Sequence, residues 1–373
     1  MNDLETILAH AGCTGLSPTG DLVDPIQLST TFQRGIDGSY PAEYSYTRSG
    51  NPTRSSLEDI LARLEGGHSA GAFASGMAAA AAVFATLPAH SHVVIPDDVY
   101  HGVRHLLAEF GTRWGLSYSS ADMTSEESIL AALTADTKLV WVETPSNPQL
   151  QITDLETVGR ICRQRGVTWA VDGTWTTPLI QRPLEFGANY VVHSLTKYLS
   201  GHSDVLGGAV VSAGADDAER IRSYQTSAGA VLDPFSCWLT MRGLRTLAVR
   251  LERQCESAAA IASHLSSHPR VVDVLHPSLV THVGHQTAKR QMRLYGAMIS
   301  ILVDGGAARA LEIVSTTRVF QRATSLGGTE SLIEHRRSIE GPASVTPDNL
   351  IRMSIGLESS RDLIADLDAA LST

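Results

Sequence analysis

The sequence predicts an α/β protein, in which a mostly parallel sheet covered by helices is followed by a smaller α+β domain. Three observations predict this. The 373 residues allow about two domains of ~150 residues each. Between about residues 55 and 230, short apolar runs alternate with helix-like stretches, a pattern typical of parallel strands linked by helices. The last third of the chain mixes strands and helices without that regular alternation.

The first 50 residues are rich in Ser, Thr, Gly, Pro and Tyr, and we expect them to form an extended arm. Residues 51–240 are predicted to form the larger domain and 241–373 the smaller one. The stretch Ala70–Leu87 contains too much Ala, Gly and Ser for a membrane span, so we interpret it as a tight turn followed by a buried helix from Gly76. The predicted strands are 92–96, 138–143, 167–172, 189–194, 207–212, 298–303 and 350–358. The predicted helices are 55–64, 76–87, a long tract from 234 to 268 that the segment HPRVVDVLHP breaks, and 360–371.

The net charge and the cysteine pattern argue against several kinds of partner and site. The formal net charge is −10 and no long basic run occurs, which argues against nucleic acid or an anionic membrane as a partner. The four cysteines show no metal-type spacing, so we expect reduced thiols, a cytoplasmic location and no metal site. The acidic N-terminus shows no signal peptide.

Lysine is rare in this chain, which contains Lys138, Lys197 and Lys289 while its other basic residues are arginines. Lys197 follows an apolar strand in the segment HSLTKYLSGHSDVLGG, 193–208. A partly desolvated lysine has a lowered pKa and can form a Schiff base with an aldehyde or ketone. A lone lysine at a strand edge more often extends to water, but here Ser194 and Thr196 offer hydroxyl groups to a phosphate beside it.

Other segments place polar groups where open α/β sheets bind ligands. In VDGT, 171–174, Asp172 follows a strand and could keep a pyridine nitrogen protonated, although a helix cap is the commoner role. The segment VETPSNP, 142–148, ends another strand. In SGMAAAA, 75–81, Gly76 opens a helix whose free N–H groups could hold a phosphate.

Two arginines are candidates for binding anions. Arg48, in YSYTRSGNPTR, could bind a phosphate through two hydrogen bonds, or it could be an exposed turn residue. Arg352 lies in the apolar strand of LIRMSIGLE, 350–358. A buried arginine needs a partner, such as an amino-acid carboxylate, whereas an edge strand would expose it.

Taken in their order along the chain, from YSYTRSGNPTR through SGM, ETPSNP, HSLTKYLSGHSDVLGG and SLGGTESLIEH to RMSIGLE, these segments resemble the Cys/Met-metabolism family of pyridoxal-phosphate (PLP) enzymes over nearly the whole chain. Its members include cystathionine γ-synthase, cystathionine γ- and β-lyases and methionine γ-lyase. The resemblance implies the aspartate-aminotransferase-like fold type I and PLP as cofactor. Lys197 would hold PLP as an internal aldimine and then move protons, and Asp172 would pair with the pyridine nitrogen.

The resemblance also implies the remaining roles. The phosphate would be held by the amides of Gly76 and Met77 and by Ser194 and Thr196, and Tyr100 would stack on the ring and assist proton transfer. Asn147 would lie near the cofactor's phenolic oxygen and the substrate carboxylate, which Arg352 would bind with Ser325 nearby. Tyr46 and Arg48 would reach the phosphate of a neighbouring subunit, which implies a dimer with shared sites and usually a tetramer.

Departures from the family pattern leave the substrate open. Family enzymes that act on cystathionine often have glutamate where this chain has Thr324, and arginine where it has His105, the arginine here being Arg104. Gly102 stands where methionine γ-lyases carry a cysteine, and His101 and Gly173 replace the usual Gly and Asn. After Glu334 the chain has HRRSIEG instead of the commoner HPA. Arg336 and Arg337 could lie at the rim of the active site, but we expect a solvated basic pair.

The predicted function is a PLP-dependent C–S lyase or γ-replacement enzyme of the cystathionine γ-synthase or γ-lyase type, acting on sulfur-containing or O-activated amino acids. The alternative within the family is a methionine γ-lyase-like enzyme or an elimination or replacement enzyme of specialised metabolism with a non-cystathionine substrate. A non-catalytic binding module is a third hypothesis, which the combination of Lys197, Asp172, Arg48 and Arg352 disfavours.

Overall fold

A computed structural model describes residues 3–15, 19–341 and 344–372. The N-terminal segment contains helix α1 (Leu4–Ala9) and a bridge between Thr31 and Tyr46, while its other described residues before Pro52 are turns and extended chain. Leu22, Leu28 and Ile36 in this segment are exposed. These three apolar side chains therefore lie outside the core, whereas those of α1 are buried.

The larger sheet is built from strands between residues 69 and 212, and helices connect most of them. The strands are β1 (Ser69–Phe73), β2 (His92–Pro96), β3 (Ser117–Ala121), β4 (Thr137–Glu143), β5 (Thr168–Asp172), β6 (Tyr190–Ser194) and β7 (Gly208–Ser212). The helices are α2 (Pro52–Glu65), α3 (Gly76–Ala85), α4 (His101–Trp114), α5 (Glu126–Ala132), α6 (Leu155–Arg165), α7 (Thr177–Ile180), a 3₁₀ turn (Pro183–Phe186) and α8 (Ala215–Ala228).

The strand order in this sheet is β1-β7-β6-β5-β4-β2-β3. Strands β6, β5, β4, β2 and β3 pair in parallel, whereas β7 pairs antiparallel with both β1 and β6. The mostly parallel sheet is thus confirmed. Because the parallel strands all run in one direction, their carboxyl ends meet at one edge, and Glu143 lies beside Asp172 there.

The interpretation of Ala70–Leu87 is wrong for its first residues. Residues Ser69–Phe73 form strand β1, and α3 begins only at Gly76. The sequence SAGAF lacks the β-branched residues that mark a strand, but pairing with β7 along its whole length supplies the hydrogen bonds. The close packing explains the small residues, because a Cβ at Gly71 would lie 3.3 Å from Ile221 and from Phe73.

The rest of the chain forms a second sheet with the strand order β10-β11-β12-β9-β8. Its strands are β8 (Val271–Leu275), β9 (Met298–Val303), β10 (Gln321–Arg322), β11 (Leu332–His335) and β12 (Leu350–Ser354). The helices are α9 (Pro234–Leu244), α10 (Leu247–Leu265), α11 (His285–Gln291), α12 (Gly306–Thr316), α13 (Arg336–Glu340) and α14 (Ser360–Ser372). The predicted tract 234–268 is therefore two helices, and the predicted boundary at residue 240 lies inside α9.

Both sheets pack into apolar cores. One cluster of buried side chains extends from α1 and α2 through α10 to the second sheet and α14, and two others cover the faces of the larger sheet. Trp141 and Trp169, on the adjacent strands β4 and β5, are among the largest fully buried side chains. No helix among the described residues is long and apolar enough to cross a membrane.

Candidate active site

A cavity of about 410 Å³ lies where the carboxyl ends of the parallel strands face the segment around β11 and β12. The predicted site residues that line it are Gly76, Met77, Tyr100, Asn147, Asp172, Ser194, Thr196, Lys197, Ser325 and Arg352. Residues far apart in the sequence thus converge on one cavity. Its lining also includes Glu143, Thr174 and His101, which were not predicted as site residues, and Arg336, for which a place at the rim of the site was the less favoured alternative.

Lys197 lies in the turn that follows β6. The turn is held by the amide of Lys197, which donates to Ser194 O at 3.2 Å, and by the amide of Gly201, which donates to Lys197 O at 2.8 Å. The Nζ of Lys197 donates to Ser325 Oγ at 2.7 Å. Burial, with the nearby Arg352 and Arg336, lowers the pKa of Lys197 to about 8. A substantial neutral fraction therefore exists near neutral pH, as a nucleophilic amine requires.

Two carboxylates occupy adjacent strand ends at the cavity. Asp172 Oδ1 accepts a hydrogen bond from the Thr174 amide at 3.0 Å, and burial raises the pKa of Asp172. Glu143 Oε2 accepts from the Tyr100 amide at 2.9 Å. Burial, and secondarily the neighbouring Asp172, raise the pKa of Glu143 well above its ordinary value. Glu143 ends a predicted strand in the motif VETPSNP, so its place beside Asp172 could have been inferred from parallel pairing.

The start of α3 provides amides and the turn after β6 provides hydroxyls. Ser75 caps α3 by accepting from the Ala78 amide at 3.1 Å, and the first-turn amides of Gly76 and Met77 precede the helical hydrogen-bond ladder. A Cβ at Gly76 would lie 3.0 Å from Ser194 Cβ, so glycine allows the helix start to approach the lysine turn. Ser194 and Thr196 also line the cavity. Such a grouping suits a phosphate.

Arg352, on β12, is buried and held from several sides. It donates to Asn147 Oδ1 at 2.9 Å and to Ser325 O at 3.1 Å, and it forms a 2.6 Å ion pair with Glu334. Burial lowers the pKa of Arg352 to about 10, although Glu334 opposes that shift, so the group stays cationic at neutral pH. A cationic guanidinium fixed in this way can attract a carboxylate and donate a hydrogen bond to it.

The prediction that Arg336 and Arg337 form a solvated pair is wrong. Arg336 is 3% exposed and lines the cavity. Its Nη1 contacts Glu334 at 3.0 Å and its Nε contacts Glu340 at 2.8 Å, and these two carboxylates offset the cost of burying the guanidinium. Arg337 is half-buried and donates to Thr346 O at 2.9 Å.

Tyr46 and Arg48 do not line this cavity. Tyr46 is 47% exposed. The exposed Arg48 donates to Thr226 O at 2.6 Å, and its guanidinium lies 5.6 Å from the centroid of the Tyr46 ring. Within one subunit, these two predicted phosphate ligands are therefore separate from the other predicted site residues.

The residues of the cavity fit PLP by their chemistry. The partly buried amine of Lys197 matches its aldehyde, the Asp172 carboxylate matches its pyridine nitrogen, and the amides of α3 with nearby hydroxyls match its phosphate. The carboxyl of Asp172 would gain a cationic partner from a protonated pyridine, which would offset the desolvation that raises its pKa.

Comparison with known proteins agrees with this chemistry. The family model described as "Cys/Met metabolism PLP-dependent enzyme" matches residues 5–372. The cystathionine γ-synthase of Mycobacterium tuberculosis is 44% identical over 368 residues, 97% of this chain and 95% of that protein. The cystathionine β-lyase of Coxiella burnetii is 42% identical over 379 residues, 99% of this chain and 97% of that protein.

A solved structure supports the same conclusion for the fold. Cystathionine γ-synthase from Xanthomonas oryzae pv. oryzae, in complex with aminoacrylate and cysteine, superposes with a TM-score of 0.96 at 40% identity. The match covers 100% of this chain and 98% of that one. The predicted fold class is confirmed.

Proposed function

The chain belongs to the family of Cys/Met-metabolism PLP-dependent enzymes, and we propose that it catalyses replacement at the γ-carbon of an O-activated homoserine by a thiol, as a cystathionine γ-synthase does. It is a PLP enzyme of the cystathionine synthase and lyase type. The observation that carries the proposal is the partly buried Lys197 amine, hydrogen-bonded to Ser325 in a cavity that also holds Asp172 and Arg352.

PLP supplies an electron sink that stabilises negative charge on the substrate's α-carbon. We assign its binding to Lys197 at the aldehyde, Asp172 at the pyridine nitrogen, and the Gly76 and Met77 amides at the phosphate. Ser194 and Thr196 complete the phosphate site through their hydroxyl groups. The support is that all these residues line one cavity.

Arg352 binds and orients the α-carboxylate of the substrate in this proposal. Its contacts to Glu334, Asn147 and the Ser325 carbonyl fix the guanidinium before the substrate arrives. Preorganisation of this kind reduces the entropy lost on binding. Asn147, whose Oδ1 accepts from Arg352, orients that arginine.

Lys197 would hold and move protons at the substrate when its amine is free. An amine with a pKa near 8 can take a proton from a carbon and return it to another atom at neutral pH. Ser325 Oγ accepts a hydrogen bond from Nζ and keeps the amine directed into the cavity. Tyr100, held at its backbone by Glu143, assists with its ring and hydroxyl group.

Tyr46 and Arg48 complete the cavity of a neighbouring subunit, in a dimer with shared sites that pairs into a tetramer. The support is their exposure and their position outside the cavity of their own subunit. We also retain the cytoplasmic location, which four free cysteines favour, and the predicted units 1–50, 51–240 and 241–373.

Elimination is the second candidate, because the same residues serve it when water rather than a thiol completes the reaction. The cystathionine β-lyase relative is nearly as similar as the γ-synthase relative, at 42% against 44% identity. The two candidates differ in whether a thiol captures the activated substrate.

A substrate panel tests the proposal. The holoenzyme would be given O-acetyl-, O-succinyl- or O-phospho-L-homoserine with and without L-cysteine, and separately L-cystathionine or L-methionine, with products identified by mass. We expect cystathionine from at least one homoserine ester with cysteine, and no product from Lys197→Ala. The opposite result would be keto acid and ammonia from cystathionine or methionine, with no cystathionine formed from any ester. That result would contradict the synthase proposal and favour an elimination enzyme.

A further inference from the structure

We propose that Arg336 and His101 form a subsite for an anionic group at the distal end of the substrate, the part that leaves from the γ-carbon. This inference rests on the proposed function, because it concerns the substrate of the same cavity. The two residues are 235 positions apart in the chain, yet Arg336 Nη2 lies 3.3 Å from His101 Nδ1. Both line the cavity.

The part of the lining contributed by the second sheet and its flanking segments, here the C-terminal wall, presents cationic side chains to the cavity. Its members are Thr324, Ser325, Leu326, Arg336, Ile339 and Arg352. Among them are two guanidinium groups and no carboxylate, because Glu334 and Glu340 pair with these groups from outside the lining. The lining carboxylates, Glu143 and Asp172, end strands of the larger sheet. An anionic substrate group therefore meets N–H donors at the C-terminal wall, whereas a distal ammonium would meet like charge.

Arg336 is fixed in place yet keeps donors for a ligand. A guanidinium has five N–H donors. The contacts to Glu340, Glu334 and His101 use one N–H each, on Nε, Nη1 and Nη2. Among the described residues, one N–H on each terminal nitrogen is left for the cavity. Such a pair can grip two oxygens of a carboxylate or a phosphate.

His101 adds a third donor. If Arg336 donates to its Nδ1, the neutral ring carries its hydrogen on Nε2. Burial, together with the neighbouring Arg336, lowers the pKa of His101, which keeps this neutral tautomer dominant at neutral pH. His101 directly follows Tyr100, whose ring centroid lies 4.5 Å from its own, so the subsite borders the proposed reaction centre.

Arg352 and Arg336 have separate tasks in this proposal. They share Glu334 Oε1 as a partner, at 2.6 and 3.0 Å, so they lie side by side. Arg352 contacts Asn147 and the Ser325 carbonyl beside Lys197, whereas Arg336 contacts Tyr100's neighbour His101. One substrate with two anionic ends could thus be held at both ends at once.

The test compares homoserine esters that share an α-carboxylate and differ at the distal end. Conversion of O-succinyl-, O-phospho- and O-acetyl-L-homoserine would be followed by mass in the presence of L-cysteine, for wild type, Arg336→Met and His101→Gly. The control is Arg337→Met, which changes the adjacent arginine that contacts Thr346 O and does not line the cavity. The readout is the ratio of kcat/KM for each anionic ester to kcat/KM for the neutral acetyl ester.

We expect wild type to prefer at least one anionic ester, and Arg336→Met to lower that ratio about tenfold. His101→Gly should lower it severalfold, and Arg337→Met should leave it unchanged. The ester that responds, succinyl or phospho, identifies the anion. Equal losses on all three esters in Arg336→Met, or unchanged ratios in both variants, would overturn the subsite. An enzyme that converts no ester but cleaves cystathionine or methionine would instead refute the synthase proposal.

Discussion

The Nζ of Lys197 donates a 2.7 Å hydrogen bond to Ser325 Oγ, across 128 positions of the chain. This contact joins the lysine turn of the larger sheet to the segment that precedes β11. Ser325 has a backbone φ of 91°, an uncommon value for a residue with a side chain, and its carbonyl accepts from Arg352. Ser325 therefore contacts both Lys197, the proposed reactive amine, and Arg352, the proposed ligand of the substrate's α-carboxylate.

The first prediction is that Ser325→Ala lowers kcat/KM roughly tenfold. The reason is that a hydrogen bond to a charged or polar amine contributes about 1.5 kcal/mol, and its loss lets Nζ leave its orientation. Steady-state kinetics with the best ester of the panel would measure it. Ser325→Gly, which also removes the hydroxyl group but suits the positive φ of 91°, is the comparison variant, and an equal loss there assigns the effect to the hydroxyl group and not to backbone strain. Full activity in Ser325→Ala would show that the contact does not orient the amine.

The second prediction concerns pH. Since burial and Arg352 lower the pKa of Lys197 to about 8 from an ordinary 10.5, the amine is protonated below pH 8 and nucleophilic above it. The association rate of PLP with the apoenzyme should therefore rise with pH and reach half its maximum near 8. Stopped-flow absorbance would follow it. In Arg352→Met, which removes one nearby positive charge, the midpoint should move to higher pH. A midpoint that stays near 10.5 in wild type would contradict the argument.

The third prediction tests the close approach of β7 to the start of α3. A Cβ at Gly208 would lie 2.2 Å from Ser75 O, so Gly208→Ala must displace the residue that caps α3. We expect about 1–3 kcal/mol of destabilisation and faster loss of PLP on dialysis. Gly214→Ala is the control, because its Cβ would meet nothing within 4 Å. Equal PLP retention in the two variants would count against a phosphate site at the α3 start.

The fourth prediction tests sharing of sites between subunits. Lys197→Ala and Arg48→Ala should each be inactive or nearly so as homo-oligomers. If Arg48 serves the neighbour's cavity, refolding the two variants together gives dimers with one intact site, and about a quarter of wild-type activity should return. Activity of the mixture that equals the average of the two separate variants would mean that Arg48 does not act across the interface.

Strand prediction succeeded where burial on both faces produces a continuous apolar run. HVVIP and KLVWVE became β2 and β4 because every position, or nearly every one, is buried. It failed for β3, whose residues SYSSA are mostly exposed at the sheet edge, and for the small-residue strand β1. In those two strands, backbone pairing rather than side-chain burial determines the structure.

In the cavity, prediction succeeded for residues whose type and motif indicate their chemistry. It failed for residues whose burial depends on partners from other parts of the chain. Lys197 stands out because lysine is rare here. Arg336 was expected to be solvated because its partners are not evident in the sequence, with the exception of Glu340, which lies at the favourable i+4 position. Its contact with His101 joins two segments that are far apart in the chain, and neither segment contains a sequence signal that predicts this contact.

The most direct test of the account is borohydride reduction of the PLP holoenzyme, followed by digestion and mass mapping of the modified lysine. Lys197, beside Ser325 and within the cavity, should carry the reduced pyridoxyl-phosphate group, while Lys138 and Lys289 remain unmodified. Modification at Lys138 or Lys289 with Lys197 unmodified, or PLP uptake and turnover that persist in Lys197→Ala, would contradict the assignment of the reactive amine.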